Sequence, residues 1–102
     1  MIKCICINDS NRPLEIPSNK WPIKDKEYHI TWIYFHAGQN ISGVDLAEFK
    51  LDENNMPFRS YKLERFAIQK KDLEALLELM QICSSKIDIN KAIEEQIEVI
   101  EN

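Results

Sequence analysis

The stretch from Lys26 to Leu51, KEYHITWIYFHAGQNISGVDLAEFKL, constrains the fold more than any other part of the chain. Two runs rich in β-branched and aromatic residues flank a short segment that contains Gly38 and ends at Gly43. Such runs, joined by a glycine-bearing connection, predict a β-hairpin. Along Glu27–Ala37 one alternating set is Tyr28, Ile30, Trp32, Tyr34 and His36, and the other is His29, Thr31, Ile33 and Phe35. Neither set is wholly polar. The strand is therefore expected to bury one face, then twist and bury the other, as strands in small barrels do. Gly43–Leu51 behaves similarly, with Val44 and Leu46 on one face and Ala47, Phe49 and Leu51 on the opposite one. A bulge or bend near Leu46–Glu48 would bring both sets inward.

Around the hairpin the chain reads as further short strands. Ile2–Ile7 is apolar and β-branched, which predicts a strand buried on both faces. Asn8-Asp9-Ser10-Asn11 ends it with four turn formers. Pro13, Pro17 and Pro22 then make Arg12–Lys26 a long loop. Leu14, Ile16, Trp21 and Ile23 are expected to pack it against the strands. Asp52–Pro57 is a loop, and Arg65–Ile68 a closing strand. The residues just before it, from Phe58, could be extended or form one helical turn.

After Ile68 the apolar period changes from 2 to 3.6. Leu73, Leu76, Leu77, Met80 and Cys83 form one stripe of an amphipathic helix. Ser84-Ser85 interrupts it, Asp88 or Asn90 can cap a second helix, and Ile89, Ile93, Ile97 and Ile100 supply that helix's apolar side. The expected architecture is α+β: a strongly bent antiparallel barrel over residues 1–68, then a helical segment over 69–102. The helices would cover the barrel or pair with a second chain.

With 102 residues, 44% hydrophobic and 29% charged, the chain has the size and composition of one globular domain. The net charge of −4 lies wholly in the tail, because residues 1–68 carry nine basic and nine acidic side chains. That balance argues against broad binding to phosphate backbones, while leaving room for a local basic patch. No run approaches the span of a membrane, and the acidic tail has the wrong sign for anionic lipid. Three cysteines and no visible export signal lead to a cytoplasmic expectation.

The wording of Cys6–Pro13, Ile16-Pro17, Trp21, Lys26–Tyr28, Gly43–Phe49 and Arg65–Ala67 resembles that of small uncharacterised bacterial and phage-associated proteins. Four short β runs, a long loop after the first and a central hairpin also resemble an SH3-like barrel. The resemblance covers residues 2–68 and implies a fold. It carries no catalytic residue across. Barrels of this kind bind peptides, nucleic acids or partner domains, an implication of fold alone.

Chemistry is sparse. Cys4 and Cys6, with His29 or His36, could be written as zinc ligands, but a C-x-C on a strand lacks the usual knuckle spacing. Buried thiols, and neither metal nor cofactor, are expected. A Cys6 nucleophile with a histidine base defines a third, enzymatic reading. The two histidines are seven apart and face opposite ways on a regular strand. Aromatic and basic residues make the better case: Trp21 and Lys24 in the long loop, and Arg59, Tyr61 and Arg65 near the closing strand. Together they could frame a groove for a protein or peptide partner, or, alternatively, stack on and neutralise nucleic acid. The competing reading has Trp21 and Tyr61 closing the core while the charges solvate it. The leading expectation is a non-enzymatic binding or adaptor module, with nucleic-acid regulation second and homodimerisation through the C-terminal helices open.

Overall fold

The computed structural model describes residues 1–36, 41–83 and 96–100, apart from the side chains at 35, 36, 41 and 80–83. Six strands form one sheet: β1 (Ile2–Cys6), β2 (Glu27–His36), β3 (Ile41–Leu46), β4 (Tyr61–Lys62), β5 (Phe66–Gln69) and β6 (Glu98–Ile100). Helix α1 spans Lys70–Cys83. The strand order is β4-β3-β2-β1-β5-β6.

That order forces the sheet to curl. Between β4 and β5 lie three other strands, so a flat sheet would separate them by about 19 Å, four strand spacings. Only the three-residue 3-10 turn Leu63–Arg65 joins them, and such a turn rises about 6 Å. The two strands must swing towards each other, and the sheet becomes a half-barrel.

The hairpin is where the sequence places it, as β2 against β3. Its register slips between Ile30 and Trp32, making Thr31 a bulge across from Asp45 and Leu46. The burial phase changes there: Tyr28 and Ile30 are buried before the bulge, and Ile33 after it. The expected switch of faces is thus produced on β2, opposite the position foreseen at Leu46–Glu48. One extra residue inverts every later side chain, because the strand period is two. The hairpin tip, residues 37–40, lies outside the described residues.

Three expectations are corrected. β1 is buried on one face, through Ile2, Cys4 and Cys6, while Lys3 is exposed and Ile5 half-buried. The sheet is mixed, since β6 pairs with β5 in parallel, Ile68 opposite Val99. The chain runs from β5 straight into α1, and a helical crossover is what brings a later strand back in the same direction. Finally, Ile97–Ile100 does not continue a helix. The run Glu98-Val99-Ile100 is mostly β-branched and satisfies the open edge of β5. The rest of the expected second helix, with Ile89 and Ile93, lies outside the described residues.

Helix α1 follows its predicted stripe at Leu73, Leu76 and Leu77, while the side chains of Met80 and Cys83 lie outside the described residues. Leu76 is fully buried, and Leu73 and Leu77 pack half-buried against the same core. The helix contacts β1, β2 and β5 of its own chain. Among the described residues no helix is long and apolar enough to cross a membrane.

Candidate functional site: the aromatic row and the groove beside it

Four of the five residues singled out in the sequence are tied to one loop. Trp21 and Tyr61 are buried, at 8% and 3% exposure, with ring centroids 6.1 Å apart. Phe49 and Tyr28 continue the row at 6.4 and 5.4 Å. Each polar handle in the row holds the long loop between β1 and β2. Trp21 Nε1 donates to the carbonyl of Asp9 at 2.7 Å, and Tyr61 OH donates to that of Lys20 at 2.6 Å. The Tyr28 hydroxyl accepts from the Ile23 amide at 2.7 Å. Burial, with Asp45 adding to it, raises the Tyr61 phenol above its ordinary range, so it remains a donor.

Arg65 joins the same arrangement. Its guanidinium lies 4.8 Å from the Trp21 ring centroid and donates to the carbonyls of Asn8 and Ser10. Lys24 is exposed, its amide bonded to Asp9 at 3.1 Å. The aromatic faces of Trp21 and Tyr61 are therefore occupied by core and loop. Of the five, Arg59 and Tyr61 also line an open groove.

That groove, about 660 Å³, runs along β3 and the connection from β3 to β4. Phe49, Leu51 and Phe58 are half-buried in its wall, and Met56 is 45% exposed at its edge. Two of its acids have partners within the chain. Asp45 Oδ2 accepts from Tyr34 OH at 2.6 Å, and Asp52 Oδ2 lies 3.1 Å from Lys20 Nζ. The Asn54 amide and Lys20 together lower the Asp52 carboxyl below its usual range. Arg59 and Lys50, also lining the groove, have no ion-pair partner among the described residues.

Asn55 holds the groove wall to the long loop, and sequence reasoning missed it. Buried at 2%, it donates from Nδ2 to the carbonyl of Glu15 at 2.8 Å. Its Oδ1 accepts from the Asp52 amide at 3.0 Å and from Lys20 Nζ at 3.4 Å. The signal was Asp52-Glu53-Asn54-Asn55, where Asp52 and Asn55 cap one short turn reciprocally. The groove's apolar residues also escape the periodic pattern, because the alternation that runs through Phe49 and Leu51 outlasts the strand, which ends at Leu46.

The thiols are internal. Burial pushes Cys4 up to about 12, with Glu48 and Cys6 adding to it, and burial also raises Cys6, which has no exposed surface. Cys6 thus presents no ready thiolate. His29 pairs opposite Lys3, three positions along β1 from Cys6, or about 10 Å. Its ring is engaged elsewhere: Glu48 Oε2 lies 2.7 Å from His29 Nδ1, and Oε1 accepts the His29 amide at 2.8 Å. Partial burial works to raise the Glu48 carboxyl, but these bonds outweigh it and the shift is downward. The His36 side chain lies outside the described residues. Among those described, no three His, Cys, Asp or Glu side chains are grouped to hold a metal ion.

No family model, curated protein or solved structure matches the chain.

Proposed function

We propose that the chain is a non-enzymatic binding module on an SH3-like barrel, which takes a short segment of a protein partner into the groove beside β3. The strand run β4-β3-β2-β1-β5, the long first loop and the 3-10 turn before the closing strand support the SH3-like assignment. One observation carries the binding reading. The groove combines half-buried apolar walls with two cations, Lys50 and Arg59, that form no ion pair among the described residues. Apolar anchoring with a few orienting polar groups is how concave sites hold peptide segments. The free thiols of Cys4 and Cys6 agree with a reducing, cytoplasmic setting.

The test is selection of random peptides on the full chain, followed by amide NMR mapping of the enriched sequences. Perturbations centred on Phe49, Met56, Phe58 and Arg59 are expected. Failure to enrich any sequence, or perturbations confined to another face, would falsify the reading. Titration with single- and double-stranded oligonucleotides at low salt tests the alternative. That reading has to work without the Trp21 and Tyr61 faces, and binding that is steeply salt-dependent would favour it.

A further inference from the structure

The last part of β3 keeps one edge unused. Along an antiparallel strand, successive residues turn their amide and carbonyl groups to opposite sides. The Ala47 amide bonds to the His29 carbonyl at 2.8 Å, so Ala47 turns towards β2. The Ser42 amide turns the other way, to Gln96 Oε1 at 2.7 Å. Alternation between these two fixed points turns Val44 and Leu46 away from β2. Val44 meets β4 on that side, opposite Tyr61. Leu46 does not: β4 is only two residues long, and Leu46 has no backbone partner there among the described residues.

The chain itself leaves this edge open. The register of β4 would set Ser60 beside Asp45 and Arg59 beside Leu46. Ser60 instead folds back against Gly43, where an added Cβ would lie 3.0 Å from Ser60 Cβ. Leu46 lines the groove although its side chain belongs to the core, at 4% exposure. What it presents to the groove is therefore main chain. An uncovered strand edge is a template for another strand, and apolar pockets beside such an edge are how extended peptides are held. Phe49, Leu51 and Phe58 supply the apolar side of the same groove.

We propose that the groove's ligand is an extended peptide that adds to β3 beyond β4, exchanging main-chain hydrogen bonds with Leu46 while alternate side chains rest on Phe49, Leu51 and Phe58. This rests on the groove taking a peptide segment, as proposed above, and adds the ligand's conformation and the main-chain bonds that recognise it.

The probe is the tightest peptide enriched by selection on the full chain, resynthesised with an N-methyl group at each position in turn. Methylating the residue paired with Leu46 removes the hydrogen that the Leu46 carbonyl accepts and should weaken binding about tenfold or more. The residues on either side turn their amides away from β3 and should change less than about twofold. Amide exchange on the isotope-labelled chain supplies the second readout. In the free chain the Leu46 amide should exchange faster than that of Ala47, and the peptide should slow Leu46 about tenfold while leaving Ala47 unchanged. A Leu46 amide already as protected as Ala47, a peptide with no methylation-sensitive position, or one sensitive at several consecutive positions overturns the inference. Shifts at Phe49, Phe58 and Arg59 without protection of Leu46 also overturn it, yet leave the binding module standing. Failure to enrich any peptide removes both.

Discussion

The guanidinium of Arg65 stacks 4.8 Å from the Trp21 ring centroid while its Nη1 reaches the carbonyls of Asn8 and Ser10 at 3.2 and 2.8 Å. One side chain thus joins the 3-10 turn before β5 of the half-barrel to both limbs of the long loop. Arg65→Ala should lower stability by about 1–2 kcal/mol, combining a cation–π contact with two charge-assisted bonds at a half-exposed site. Arg65→Lys should recover only part, because an ammonium cannot stack as a planar fork does. The urea midpoint measures the loss. Faster amide exchange confined to the long loop would place it, and an unchanged midpoint would refute the role.

Gly43 is required for a different reason. A Cβ at this position would sit 3.0 Å from Ser60 Cβ and run into the Ser60 hydroxyl. Gly43 pairs with Lys62, where β4 is only two residues long, so β3 cannot move away without losing that pairing. Gly43→Ala should destabilise by about 1–3 kcal/mol, as overpacking does. Adding Ser60→Gly should return part of this in a thermal-melt cycle. Strict additivity of the two substitutions would show that the contact is not the cause.

The hairpin, the face switch within β2 and the stripe of α1 were legible because each is a periodic pattern within one segment. The loop-locking role of Trp21 and Tyr61 was legible only as an alternative to ligand stacking. Their residue types suit both, and nothing local shows that Asp9 and Lys20 carbonyls will meet them. Asn55 and the parallel β6 were not legible for the same physical reason. A buried amide bonded to Glu15, forty residues away, and a strand placed by a helical crossover depend on tertiary geometry. The groove emerges from the same long-range placement, since Phe49, Met56 and Arg59 lie in a connection without period.

Stability should fall on the alkaline side. The folded pKa values of Cys4, Cys6 and Tyr61 are raised from ordinary values of 9.0, 9.0 and 10.0. Above pH 9 the unfolded chain can release thiol protons that the folded chain retains, so the equilibrium shifts towards unfolding. The stabilising contribution is complete below pH 9 and is lost as pH rises towards the folded values, about 12 for Cys4. Each group contributes a slope of up to about 1.4 kcal/mol per pH unit within its window. Denaturant titrations between pH 7 and 11 should show this decline, and Cys4→Ala should reduce its steepness even though it lowers stability at neutral pH. A slope identical to the wild type would exclude Cys4 as a contributor.

Asn55 separates loop anchoring from simple packing. Its amide nitrogen donates to Glu15, and its oxygen receives the Asp52 amide and Lys20, so both ends are used at 2% exposure. Asn55→Ala should cost about 2–3 kcal/mol, since it leaves the Glu15 carbonyl and the Asp52 amide without their partner. Asn55→Asp keeps the shape and the acceptor but replaces the donor facing Glu15 with an oxygen, and it adds a second carboxylate beside Asp52. It should be as damaging at neutral pH and partly recover on acidification, when a protonated carboxyl can donate again. Limited proteolysis should then cut first within residues 12–20, the limb that Asn55 holds. If Asn55→Asp proved as stable as the wild type at neutral pH, the bond to Glu15 would not be what holds the long loop to the turn at Glu53–Asn55.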